Sequence, residues 1–189
     1  MKNNFKTIII ILVIVLLLGG VGVSSYNTMV TKKENVTTKL SDIDVQLQRR
    51  ADLIPNLVNT VKGYMKHEDK IINEITTART NLVNAKTTNE KSEANSKLTT
   101  AINDLYVIVE NYPDLKANTT FIGLQDELAG SENRIAVARK NYNEAATDYN
   151  TLIKKFPQSI VASMFKFETV SYFEAEEGAK NVPSVNFES

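Results

Sequence analysis

The chain opens on an apolar run with no polar interruption: Ile8 to Val23 (IIIILVIVLLLGGVGV) is 16 residues, counting glycine. With Thr7, Ser24, Ser25 and Tyr26 the segment reaches about 20 residues, enough to span a ~30 Å hydrocarbon core at ~1.5 Å per residue. Lys2 and Lys6 precede it, and Tyr26 follows where an interfacial aromatic sits. The pattern predicts an uncleaved transmembrane anchor over residues 1–26. A cleaved signal peptide is the competing reading, since a basic n-region and an apolar h-region are both present. No A-x-A motif stands at Gly22-Val23-Ser24, and the run is long for an h-region.

Beyond the anchor the apolar spacing becomes helical. Val36, Leu40, Ile43, Leu47, Arg50, Ile54, Leu57, Val61, Tyr64, Glu68, Ile71, Ile75, Ala78 and Leu82 follow one another at steps of four and three. The stripe crosses Pro55 without losing phase, which predicts one helix of about fifty residues with a proline kink. The alternative is a break, with Asp52 as N-cap and Pro55 in the first turn. Ala85 to Asn95 is polar and reads as a connection. A second helix follows from about Lys91, carrying Ala94, Leu98, Ala101, Leu105 and Val109, and Tyr112-Pro113-Asp114 ends it. The third runs through Phe121, Leu124, Leu128, Ser131, Ile135, Ala138, Tyr142, Ala145, Tyr149, Leu152 and Phe156, about 54 Å at the standard rise, until Pro157 stops it. A short helix is predicted at Ser159 to Phe165. The expected fold is all-α: a transmembrane helix, then an elongated antiparallel up-and-down bundle of three long helices and a short one. The bundle should occupy residues 27–165, with an irregular acidic and aromatic tail over 166–189 that holds Tyr172, Phe173, Glu174, Glu176 and Glu177.

One stretch departs from a plain amphipathic helix. Gln46 to Tyr64 (QLQRRADLIPNLVNTVKGY) sets Arg49 and Arg50 inside the apolar pattern and follows them with Asp52 and Pro55. Arg50 and Glu68 fall on the stripe itself. Either they lie at a seam edge and reach water along their stems, or a charge is buried and paired, with Arg49 or Arg50 meeting Glu127, Glu132 or Glu110. This stretch resembles the signature of the LemA family of bacterial membrane-anchored helical proteins. Further similarity lies in Glu110–Asn118 (ENYPDLKAN), in Phe121 through Tyr142-Asn143, in Tyr172-Phe-Glu-Ala175 and in Pro183–Phe187, so the resemblance covers roughly Tyr26 to Phe187. It implies an up-and-down α-helical bundle and names no reaction.

Composition narrows the chemistry. Lys plus Arg and Asp plus Glu are 22 each, which argues against nucleic acid as a partner. Past the anchor the body carries 20 basic and 22 acidic side chains, too even to read as drawn to or repelled by an anionic bilayer. Cysteine is absent, so there is no disulfide, thiol nucleophile or lipobox anchor. The single histidine, His67, has isoleucine rather than histidine four positions on, so no zincin helix exists, and it reads as an exposed helix-surface residue. No phosphate-binding glycine loop and no G-x-S-x-G occurs. Gly123 and Gly130 suggest close helix packing, and Ser131 has no partner for nucleophilic work.

The sequence therefore predicts no enzyme: no catalytic residues, no metal site and no cofactor. The expected function is a single-pass membrane-anchored helical scaffold or protein-interaction module, with other membrane or envelope proteins as partners. Its candidate interaction surface is Arg49, Arg50, Asp52, Tyr112, Asp114 and Lys116. Asp114 and Asn118 or Thr119 also have structural readings, as caps of the turn and of the third helix. The alternative function is a membrane-tethered sensor or carrier that binds a small ligand near the Arg49/Arg50 kink. The expected location is the cell membrane. Two lysines flank the span on its N-terminal side and three (Lys32, Lys33, Lys39) on the other, which leans the body slightly towards the cytoplasm.

Overall fold

The computed structural model describes residues 2–65 and 67–173, with side chains from residue 6 onward except residue 7. Every regular element among them is a helix: α1 (Lys2–Lys62), α2 (Asp69–Asn84), α3 (Thr88–Val109), α4 (Pro113–Lys116), α5 (Thr119–Lys154) and α6 (Gln158–Met164). The chain divides into two compact units. Of the described residues, one unit holds those up to Lys39 and Asn141–Ser171, and the other holds Leu40–Lys140 with Tyr172 and Phe173. The tail acids Glu174, Glu176 and Glu177 and the Pro183–Phe187 motif lie outside the described residues.

The larger unit is a four-helix up-and-down bundle. From Leu40 to Lys62, α1 runs against α2, where Arg79 reaches Ala51. It runs alongside α3, where Asp44 meets Lys91 and Arg50 meets Asn95. In turn α3 opposes α5, with Tyr106 edge-on to Phe121 at 6.2 Å. Ile43, Ile54, Leu57, Ile75, Leu98, Leu105, Leu115 and Ile135 fill its core and are essentially inaccessible.

Pro55 lies inside α1 and the helix continues through it. Proline has no N–H, so the Ala51 carbonyl loses its i+4 donor. Arg79 Nε donates to that carbonyl at 2.8 Å. The continuous helix through Pro55 therefore holds, but its expected extent to Leu82 does not. The helix stops at Lys62, residues 63–65, 67 and 68 are not helical, and α2 begins at Asp69. Ile71, Ile75, Ala78 and Leu82 keep the same phase because each bundle helix must turn an apolar stripe inward. A stripe records which face is buried, not whether the chain is continuous. Gly63 is the local signal for the break, since glycine costs about 1 kcal/mol in a helix interior. The bundle thus has four long helices rather than three.

The second boundary difference is at α3, which starts at Thr88 instead of Lys91. Thr87 and Glu90 form a reciprocal capping box: the Glu90 amide donates to Thr87 Oγ1, and Glu90 Oε2 accepts from the Thr87 amide. The amide bonds from Thr87 and Lys86 hold the Glu90 carboxyl below its usual range. Asn118 caps α5 by accepting from the Phe121 amide at 3.0 Å, as one of the two expected caps.

In the smaller unit α1 and α5 are antiparallel, clasped by Lys32 and Asp148 at 2.8 Å. Pro157 follows the end of α5, and α6 closes with a Schellman turn. Phe167 N–H donates to Ala162 O, Lys166 N–H to Ser163 O, and Lys166 takes φ 56° in the left-handed region. The chain then returns along α5. Tyr149 donates to Glu168 O, Asn150 exchanges two bonds with Val170, and Tyr142 donates to Ser171 O.

On α5 the expected stripe is buried from Phe121 to Tyr149 with Leu124 half-exposed, then it rotates away. Ala146, Asn150 and Ile153 are buried there, while Leu152 is half-exposed and Phe156 is exposed. A 3.5-residue repeat drifts about 20° per heptad on a 3.6-residue helix. Four heptads accumulate nearly the ~100° between neighbours, so the next residue takes over. Two further expectations fail. A methyl added at Gly123 would have no atom within 4 Å, and one at Gly130 would meet only the Arg134 side chain, so neither glycine marks close helix packing. His67 is exposed but lies in the α1–α2 turn, not on a helix.

Candidate interaction site

Among the described residues of the larger unit, Arg50 is the cation drawn fully into the core, 3% exposed. Its Nη1 donates to Asn95 Oδ1 at 2.6 Å and to Thr99 Oγ1 at 2.9 Å, and it forms an ion pair with Glu132 of α5. Thr99 also donates to the Asn95 carbonyl, one turn earlier on α3. The seam-edge reading of Arg50 is thus overturned: its guanidinium crosses the bundle and ties α1, α3 and α5 together. Water is largely excluded here, so charge and hydrogen bonds must be satisfied internally. Nearby Tyr106 has its phenol pushed up by burial, with Arg50 pulling it back and Asp126 adding to the rise.

The other expected site residues do not gather round Arg50. Arg49 and Asp52 lie on the exposed side of α1, with Asp52 accepting from Gln48 at 2.7 Å. They precede the α1 terminus at Lys62 by ten residues or more, roughly 15–20 Å at the helical rise. Tyr112, Asp114 and Lys116 sit at a different kind of place, the α3–α5 link. That link meets the α1–α2 turn: Tyr112 Oη donates to Glu68 at 3.1 Å, and Asn118 Nδ2 donates to Tyr64 Oη at 2.9 Å. The bond to Glu68, more than burial, raises the Tyr112 phenol, because a phenolate would face a carboxylate without a proton to share. Lys116 pairs with Glu110 at 2.6 Å, and Asp114 is exposed without capping α4. Tyr64 and Glu68 join this bundle end although they were expected inside a helix, while Asn118 belongs to the link itself. The stripe placed Tyr64 and Glu68 inside a helix, and its unbroken phase overrode the local signal of Gly63.

The LemA family profile matches residues 39–187, about four-fifths of the chain, and covers every described helix of the larger unit. The chain belongs to the LemA family. Among LemA-related proteins, it is 28% identical to magnetosome protein MamQ 2 of Paramagnetospirillum magneticum, over 85% of this chain and 68% of that one. It is 27% identical to magnetosome protein MamQ of Magnetospirillum gryphiswaldense over the same shares. Protein LemA of Metamycoplasma hominis is 27% identical over 80% of this chain and 69% of its own. Among the described residues of this LemA-family chain, one helix is long and apolar enough to cross a membrane. Its apolar window is only 6% buried, with Ile8 to Leu18 exposed on every side.

Proposed function

We propose that the protein is a single-pass membrane-anchored helical scaffold without catalytic activity, presenting one bundle end to other membrane or envelope proteins. The observation that carries this reading is the helix α1, apolar and unburied over Ile8–Val23 and then continuous into packed helix. An apolar surface of that length, exposed all round, is stable in a bilayer and not in water.

The presenting surface we favour is the end formed by Tyr64, Tyr112, Asp114 and Lys116. Accessible aromatic rings beside mixed charge suit recognition of a folded partner. Arg49 and Asp52 would form a separate, flatter patch. The ligand-binding alternative gains nothing from Arg50, whose charge is neutralised by Glu132.

Two measurements test the reading in native membranes. The full chain should resist carbonate extraction and keep its N-terminal residues. A mature N-terminus at Ser24 or Ser25 with the body in the soluble fraction would refute the anchor. A photocrosslinking residue at Tyr64 or Asp114 should capture a discrete partner that one at exposed Val107 on α3 does not. Identical adduct patterns at all three positions would refute the presenting surface.

A further inference from the structure

We infer that the α5–α6 corner of the smaller unit is a second membrane contact, an interfacial foot that dips into the bilayer beside the transmembrane helix. It rests on the reading of α1 as a span, and it adds a lipid-binding site to that reading. Four large apolar side chains at this corner leave more than half of their surface uncovered: Phe156 is 80% exposed, Met164 70%, Ile160 56% and Phe165 55%. Ile160 and Met164 stand one turn apart on α6, while Ala162 on the other face is buried. A seven-residue helix that hides an alanine and presents isoleucine and methionine is inverted for a protein in water. It is correctly oriented for a lipid surface.

The corner's height along α1 selects the occupant. Because Lys32 pairs with Asp148 on antiparallel helices, the end of α5 falls level with Tyr26. Tyr26 closes the apolar run, where the headgroup region begins. Its ring packs against Phe165 at 4.8 Å and Phe167 at 5.6 Å, so the corner is fixed at that depth. The Schellman turn at Lys166 and the bonds from Tyr142, Tyr149 and Asn150 hold the returning chain and leave α6 facing outward. Lys154, Lys155 and Lys166 are exposed round the same corner, with Glu168 as the exposed acid beside them. Apolar side chains ringed by lysines, at the level of a span's end, match an anionic bilayer interface. Sequence spacing hides this, since Phe156 and Tyr26 are far apart in the chain and only the antiparallel pairing brings them level.

The chain has no cysteine, so single cysteines carry unique nitroxide labels. The full chain is reconstituted in phosphatidylcholine vesicles containing phosphatidylglycerol, and each label is scored by collision with oxygen against a water-soluble nickel chelate. Labels replace Phe156, Ile160 and Met164, with Leu17 as the hydrocarbon reference and exposed Asn35 as the aqueous one. The three corner labels should show oxygen-to-nickel ratios several-fold above Asn35 and below Leu17. Joint Lys154→Glu, Lys155→Glu and Lys166→Glu substitution should lower those ratios in the anionic vesicles. Corner labels that match Asn35 while Leu17 reads deep would overturn the foot and leave the span standing. Labels shielded from both reagents would overturn it in favour of contact with a second copy. A Leu17 label that reads aqueous would overturn the span itself, and the foot with it.

Discussion

The bond from Arg79 to the Ala51 carbonyl makes a testable coupling between two helices. Pro55 removes the N–H that would serve this carbonyl, and Ala51 is wholly buried, so water is a poor substitute. Arg79→Met keeps the apolar stem and deletes the donor. A hydrogen bond from a charged donor contributes about 1.5–3 kcal/mol, and Arg79 is half-buried, so the lower part of that range applies. A loss of about 1–2 kcal/mol lowers the melting temperature by roughly 3–6 °C in a chain of this size. Pro55→Ala alone restores the intrahelical bond and removes the ring's clash with the same carbonyl, and should stabilise by about 1–3 kcal/mol. In that background Arg79→Met should cost under ~0.5 kcal/mol, which gives a coupling of about 1 kcal/mol. Urea unfolding of the full chain in a mild detergent, followed by the helical circular-dichroism signal, measures all four corners of the cycle. Equal losses for Arg79→Met with and without Pro55 would refute the reasoning, because Arg79 would then be acting through packing alone.

Arg50→Ala leaves the buried Asn95 oxygen and the Glu132 carboxylate without their partner and should cost about 3–5 kcal/mol, with Arg50→Lys restoring only part of it. An unfolding midpoint unmoved by Arg50→Ala would mean the charge is solvated. Ile135→Ala should cost about 2–5 kcal/mol and Ile153→Ala more than Leu152→Ala, since the stripe has rotated by then. Gly123→Ala should stabilise by about 0.5–1 kcal/mol in the same urea assay, as an added methyl meets nothing. Burial pushes the Tyr142 and Tyr149 phenols above 10.0, and each donates to a carbonyl of the returning chain. Their folded values exceed the unfolded ones, so this stability is complete below about pH 10 and is lost as pH rises through the raised values. The protection of amides 168–171, measured relative to their intrinsic base-catalysed exchange rate, should therefore fall in alkali, and Tyr149→Phe should flatten the dependence.

The sequence by itself determined the helical class, the apolar span, the family and most of the buried stripe, because a 3.6-residue period and an uninterrupted apolar run are local facts. It also exposed Arg50 as anomalous and named Glu132 among three possible partners. It did not choose between snorkelling and pairing, since that depends on which helices close over the guanidinium. The break between Lys62 and Asp69 stayed hidden because helices on either side of a turn carry the same stripe, and their shared phase imitated continuity. The same limit applies to Pro55: whether a proline breaks a helix depends on whether a distant donor serves the abandoned carbonyl, and Arg79 is that donor. The expected surface separated for a related reason. Arg49 and Asp52 face out from mid-helix, while Tyr112, Asp114 and Lys116 meet Tyr64 and Glu68 at a bundle end. Only the folding back of α2 and α5 decides which residues share an end, because chain reversal pairs positions by their distance from a turn rather than by their place in the sequence.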